Sequence, residues 1–208
     1  MTELLIKIGH LSKTSKMPCP SWSLSAFDCI STDEICKKIC YAKRHHYNFK
    51  NVKDSLKKNK LIWLNKNWVK SMSFYVKDVL DLKYFRWFDS GDLTNILLFE
   101  KICQIADKCP NIKFWLPTRR KEILLAYFEA NNNIKLNILH PNLIIRISAR
   151  DINKNPDYEL AKYLGVLVSS IDHNKNKAYQ CKSHENNNQC GSCRVCWSKT
   201  EEVSYKLH

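Results

Sequence analysis

A cysteine stands at every third position in Cys190-Gly191-Ser192-Cys193-Arg194-Val195-Cys196-Trp197. An unbroken Cys-x-x-Cys-x-x-Cys confines the backbone to a tight loop that aims three thiolates at one inorganic centre, as in ferredoxin-type iron–sulfur ligand runs. Cys181 lies just upstream, and Cys29, Cys36 and Cys40 form a second group near the other end of the chain. Of the ten cysteines, only Cys19, Cys103 and Cys109 fall outside these groups.

What grouped thiols do depends on the compartment. The segment Met1-Thr2-Glu3-Leu4-Leu5-Ile6-Lys7 carries an acidic residue and no small-residue cleavage site, so no signal peptide is expected. Residues 136–147 are apolar but interrupted by Asn137, His140, Pro141, Asn142 and Arg146, and fall short of the ~20 apolar residues of a membrane helix. The expectation is a soluble cytoplasmic protein with no membrane partner. In that reducing setting the cysteines read as metal ligands rather than disulfides. Zinc is the competing occupant, but four-cysteine zinc sites usually use two well-separated knuckles, whereas here the knuckles share Cys193. The spacing favours a [4Fe-4S] cluster on Cys190, Cys193 and Cys196, with a fourth ligand from Cys181 or, across the fold, from Cys36 or Cys40. Trp197 is placed either to shield the cluster or to join the core. His45, His46, His173 and His184 are spare ligand candidates.

At 208 residues and 44% hydrophobic content the chain is expected to form one domain, 1–208, with a substantial core. Net charge is +14, mostly from lysine, which fits a solvated surface, an anionic substrate or nucleic acid. No RNP, zinc-finger or helix-turn-helix signature accompanies the charge. Lys57-Lys58-Asn59-Lys60 and the runs Asn131-Asn132-Asn133 and Asn186-Asn187-Asn188 look like compositional bias.

Residues 1–50 read as a cysteine-bearing loop, since Pro18 and Pro20 oppose a helix there. From Asp54 to about Leu82 apolar residues recur at helical intervals, predicting one or two amphipathic helices. Four short apolar runs then predict strands: Tyr84–Phe88, Ile112–Leu116, Leu143–Ile147 and Val166–Val168. Helical patterns at Thr94–Lys108 and Arg119–Ala130 separate the first three. Such strand-helix-strand units predict an α/β fold, a partial (βα) barrel-like parallel sheet over residues 54–172, closed by the cysteine loop 181–197. Polar residues leave the strand ends together on one rim: Asp89-Ser90-Gly91-Asp92, Thr118-Arg119, Ser148-Ala149-Arg150, Ser169-Ser170 and Asp172. Asp92 also suits the N-cap of a helix near Leu93, and Thr118-Arg119-Arg120 is either an anion clamp or the polar first turn of a helix.

Cys36-Lys37-Lys38-Ile39-Cys40-Tyr41-Ala42 resembles the start of the radical S-adenosylmethionine cysteine motif, in which three cysteines hold a cubane and leave one iron open. Lys43 stands where the last cysteine of that motif would be, with Cys29 as a third ligand at a different spacing. The Asp89–Asp92 segment sits where such barrels carry an acidic, glycine-rich cofactor motif, which makes Ser90, Gly91, Asp92, Arg119 and Ser148 the candidate cofactor-binding residues. Taken in order, Cys29, Cys36-x3-Cys40-Tyr41-Ala42, Arg86-Trp87-Phe88-Asp89-Ser90-Gly91-Asp92, Phe114-Trp115-Leu116-Pro117-Thr118-Arg119, Ile145-Arg146-Ile147-Ser148-Ala149 and Cys190-x2-Cys193-x2-Cys196-Trp197 resemble the phage gene product 88 family over residues 20–198. That resemblance implies a virus-encoded protein of the host cytosol, with a radical-S-adenosylmethionine-like fold and an iron–sulfur cluster. It names no reaction and no catalytic residue. Because Lys43 replaces a cysteine, the expectation is a redox or electron-transfer protein with a redox partner and without standard S-adenosylmethionine chemistry. The alternatives are a radical-type enzyme working at the rim and a zinc-stabilised nucleic-acid-binding protein.

Overall fold

The computed structural model describes residues 7–29, 34–173 and 178–207. Its centre is an eight-stranded, mostly parallel sheet. In chain order the elements are β1 (Leu11–Ser12), β2 (Ser21–Trp22), α1 (Glu34–Ile39), α2 (Lys50–Ile62) and α3 (Trp68–Phe74), which runs into a π-turn at Tyr75–Val79. They continue as β3 (Tyr84–Trp87), α4 (Ile96–Lys108), β4 (Lys113–Thr118), α5 (Lys121–Ala130), α6 (Leu136–Leu139), β5 (Leu143–Ser148), α7 (Tyr158–Leu164), β6 (Leu167–Ile171), β7 (Tyr179–Gln180) and β8 (Glu202–Tyr205). The spatial order is β1-β2-β3-β4-β5-β6-β8-β7, and only β1 with β2 is antiparallel.

The four strands expected from apolar runs form, and the helices between them lie on one face of the sheet. Alternation along each strand sends Phe85, Trp87, Phe114, Leu116, Leu143, Ile145, Ile147 and Val168 into a core with Leu98, Phe99 and Ile102 of α4 and Leu124 and Phe128 of α5. Helix α4 is amphipathic and starts at Asn95, whose side chain accepts from the Leu98 amide at 3.0 Å. Asp92 is therefore not the cap of that helix. Near the other edge, the Ile8 carbonyl accepts from both Trp22 Nε1 (3.0 Å) and Trp68 Nε1 (3.2 Å), joining β2 to α3 through two indoles.

Three features differ from the sequence reading. Residues 1–50 are not all loop: β1 and β2 extend the sheet and α1 follows, but each strand is two residues long and leaves no periodicity to read. The cysteine segment does not close the fold, because β8 follows it and inserts between β6 and β7. Among the described residues, β1 and β7 are the sheet's two unpaired edges, so the architecture shown is an open mixed α/β sheet. No helix among the described residues is long and apolar enough to cross a membrane.

β8 carries a carboxylate into the interior. Glu202 is 1% exposed and accepts from Ser170 Oγ (2.5 Å), from the Tyr158 hydroxyl and from His173 Nδ1 (2.7 Å), while His173 Nε2 meets Asn155 Oδ1 at 3.1 Å. Burial pushes its pKa up, but the hydrogen bonds from Ser170, Tyr158 and His173 outweigh that and hold it below its ordinary value near 4.5. A depressed carboxylate contributes stability above its unfolded pKa and loses it as pH falls through the folded value. Glu202→Gln is expected to cost about 2 kcal/mol or more at neutral pH, since it leaves donors unmatched. The gap from wild type should narrow below about pH 4, read as denaturant midpoints across a pH series.

Candidate metal centre

The order β6-β8-β7 reverses the direction in which the sheet grows. A right-handed crossover between parallel strands that covers one face when strands are added one way must cover the opposite face when the direction reverses. The β7–β8 connection, residues 181–201, accordingly lies on the sheet face opposite α4 and α5. Its Trp197 packs edge-on to Trp115 (5.5 Å) and Tyr84 (5.5 Å) and donates from Nε1 to the Phe85 carbonyl at 2.8 Å. Trp115 and Tyr84 alternate with Phe114 and Phe85, which face the helices.

Arg146 fastens this loop. It is 0% exposed, the one charged side chain in the apolar strand Leu143–Ser148. Its Nη1 donates to Thr200 O (2.8 Å) and Val168 O (3.1 Å), and its Nη2 to Ser198 O (3.0 Å) and Val195 O (3.3 Å), with Nε reaching Cys196 O at 3.5 Å. Among the described residues no carboxylate pairs with it. Burial lowers its pKa, opposed by the charges of Tyr205 and Cys196. A guanidinium taken out of water among neutral carbonyls is costly unless negative charge stands close by, and the groups beside it able to supply that charge are Cys196 and Tyr205.

The thiols of Cys181, Cys190, Cys193 and Cys196 gather here, and Cys19, outside both sequence groups, joins them. Cys19, Trp115 and Trp197 form a buried cluster with Met17, Cys196 and Tyr205. The Cys190 amide donates to Lys16 O at 2.8 Å, pinning the loop to the segment before β2. Burial pushes the Cys19 thiol up to about 12, with Arg86 and Arg194 pulling it down and Cys190 and Cys196 pushing it up. Cys196 is pushed up to about 11, again first by burial, with Tyr205 and Arg146 opposing. Cys190 is raised by burial and by Cys181. As arranged, Cys193 meets the Tyr179 hydroxyl (3.6 Å), Cys196 the Tyr205 hydroxyl (3.4 Å) and Cys181 Ser183 Oγ (3.4 Å). None of the cysteines is in a disulfide, and among the described residues no three His, Cys, Asp or Glu side chains converge tightly enough to hold a metal ion. By its chemistry, though not by its spacing here, the set would suit a soft metal: five thiols, with Arg86, Arg146 and Arg194 near them to balance thiolate charge.

The second cysteine group lies at the carboxyl end of β3. Burial pushes Cys29 up to about 11, with Asp92 and Cys36 adding to the rise and Arg120 and Lys43 opposing it. Cys40 is raised above the ordinary thiol range, first by a hydrogen bond with Cys36 and then by burial. Asp92 accepts from Thr118 Oγ1 (2.6 Å), the Leu93 amide (2.7 Å) and the Arg119 amide (2.8 Å), and burial still raises it to about 6. Ser90 Oγ donates to Leu24 O at 2.7 Å, and a Cβ on Gly91 would stand 2.7 Å from that same carbonyl oxygen, so this glycine admits the Leu24 backbone. Ser148 pairs with Ser169 Oγ at 3.3 Å. Arg86 stands between the two cysteine groups, hydrogen-bonded to Tyr41 beside Cys40 and acting on Cys19 and Cys190. Of the spare histidines, His173 is committed to Glu202 and Asn155, and His184 Nδ1 to Cys181 O at 3.1 Å.

These features define an α/β protein whose sheet presents a helix-packed face on one side and a thiol- and arginine-lined face on the other. The chain belongs to the gene product 88 family of phage proteins, whose family model matches residues 4–199. Comparison with curated proteins and with solved structures returned no match.

Arg146→Met should strip donors from five loop and strand carbonyls and cost more than ~3 kcal/mol, measured by denaturant unfolding. Amide exchange over residues 195–200 should accelerate more than in α4, as the loop loses its attachment.

Proposed function

We propose that the chain is an iron–sulfur protein of the host cytosol in which Cys181, Cys190, Cys193 and Cys196 hold a [4Fe-4S] cluster. The observation that carries this reading is the gathering of these thiols around Cys196, which stands beside a buried guanidinium, Arg146, that has no carboxylate partner among the described residues. Thiolates on that face would supply the negative charge that Arg146 calls for. A cluster held there supplies one-electron redox chemistry. Cys181 is the favoured fourth ligand, because it acts on Cys190 and Cys196, whereas Cys36 is paired with Cys40 at the rim. Trp115, Trp197 and Tyr205 pack against Cys19 and Cys196, and Arg86, Arg146 and Arg194 hold positive charge beside the thiols. Full cysteine ligation favours electron transfer with a redox partner over S-adenosylmethionine cleavage, on a fold that we relate to the radical S-adenosylmethionine barrels.

A second reading rests on the rim. Cys29, Cys36 and Cys40 near Asp92 could hold a centre with an open position, facing Arg120 and Lys43, which suits an anionic substrate.

Anaerobic purification followed by iron, sulfide and zinc analysis decides between cluster and zinc; stoichiometric zinc without sulfide would sink the first reading. Cys196→Ala should abolish the cluster and lower thermal stability, while Cys103→Ala, inside α4, should keep full iron and sulfide. Because burial holds the Cys190 and Cys196 thiols protonated before loading, metal uptake should release protons and weaken as pH falls, measurable by calorimetry in two buffers. Adding S-adenosylmethionine to the reduced protein is expected to leave its electron paramagnetic resonance spectrum unchanged; release of 5′-deoxyadenosine would favour the rim reading.

A further inference from the structure

Ser21, Arg86 and Trp115 are register partners on three consecutive strands: Ser21 pairs with Arg86 and Arg86 with Trp115. All three point to the thiol face, since their neighbours Trp22, Phe85, Trp87, Phe114 and Leu116 point to the helices. The row spans two strand spacings, about 10 Å. Each member ends in a buried polar atom with no hydrogen-bond partner: Ser21 Oγ, Arg86 Nε and Trp115 Nε1. The rest of the Arg86 group is engaged, with Nη1 on Met17 Sδ at 3.3 Å and Cζ 4.6 Å from the centre of the Trp115 ring.

Buried donors are nearly always satisfied, and leaving one unmatched costs about 1–3 kcal/mol. Three aligned on one face are a deficit of acceptors at one place. Solvent does not reach these atoms. What stands beside them is sulfur. Cys19 lies two residues before Ser21 and packs with Trp115, and Arg86 acts on both Cys19 and Cys190. A neutral thiol is a poor acceptor, whereas a metal-bound thiolate or an inorganic sulfide is a good one.

We infer that Ser21, Arg86 and Trp115 form a row of hydrogen-bond donors to the sulfurs of the cysteine centre, with Cys19 as its inner wall, and that this row sets the centre's reduction potential. The inference rests on the iron–sulfur reading above. When one electron enters the oxidised cluster no bond breaks and the added negative charge spreads onto sulfur. Donors aimed at sulfur therefore stabilise the reduced state and raise the potential.

The test uses the full chain, reconstituted anaerobically with iron and sulfide and titrated with dithionite through redox mediators while the reduced-cluster resonance is followed. Trp115→Phe removes the N–H and keeps the ring; Ser21→Ala removes only the O–H. Each should bind as much iron and sulfide as wild type yet show a several-fold lower ratio of reduced to oxidised cluster at the wild-type midpoint, tenfold being 59 mV for a one-electron couple. Trp87 Nε1 is also unmatched but sits in the helix-side core, so Trp87→Phe is the control and should titrate like wild type. Full loading of Trp115→Phe and Ser21→Ala with unmoved midpoints overturns the inference, as does an equal shift in Trp87→Phe. If Trp115→Phe does not fold, Ser21→Ala alone decides. A wild-type protein that holds no cluster fails the iron–sulfur reading itself, and the inference with it; a cluster with unmoved midpoints fails the donor row alone.

Discussion

The contact on which the rest of this structure depends is the Arg146 guanidinium inside the sheet. It satisfies carbonyls on both sides of Cys196, at Val195 and Ser198 through one nitrogen, and at Thr200 and, in β6, Val168 through the other. Lysine at the same place would offer a point charge on a flexible stem, without the planar fork that spreads donors over several carbonyls at once. Because the guanidinium cannot give up its proton, its charge stays in the interior and organises what comes near it. Backbone carbonyls are arranged towards it, the Cys196 side of the loop is drawn in behind them, and Trp197 seals the edge against Trp115.

The reversal of strand order at β8 explains why chemistry-bearing residues occupy both faces of the strand ends. Helical connections cover one side of β3 to β6, so the crossover that runs the other way has the opposite side to itself. The two cysteine groups, far apart in sequence, therefore flank Arg86 by different routes: one through the loop that leaves β2, the other through the β7–β8 connection. Arg86 is the residue both groups share, through Tyr41 on one side and Cys19 and Cys190 on the other.

Much of this was legible in the residues. Apolar runs marked β3 to β6 because buried parallel strands must be apolar on both faces, and α4 and α5 showed their spacing because only one face of each is covered. Spacing along the chain alone groups Cys181 with Cys190, Cys193 and Cys196. Other features left no trace. β2 is too short to show alternation, so Cys19 looked unrelated to the thiols it meets. β8 hides behind Glu202, a charge that argues for a surface until Ser170, Tyr158 and His173 are seen around it. Arg146 was visible as a lone charge within an apolar run and read only as an obstacle to a membrane helix. The asparagine runs looked like compositional bias, yet Asn132, Asn133, Asn187 and Asn188 have positive φ and turn the chain where glycine is scarce.

The interior position of β8 also sets an order of assembly. β7 has β8 as its neighbour in the sheet, and β8 leaves the ribosome some twenty residues later, about one to four seconds at ordinary translation rates. Until then β7 has no strand beside it, and the connecting loop 181–201 is held at one end only. Once β8 slots in, Trp197 and Cys196 are drawn against Trp115 and Tyr205. The strand that completes the sheet thus also fixes the far end of the cysteine loop, so β7, β8 and the loop between them form together.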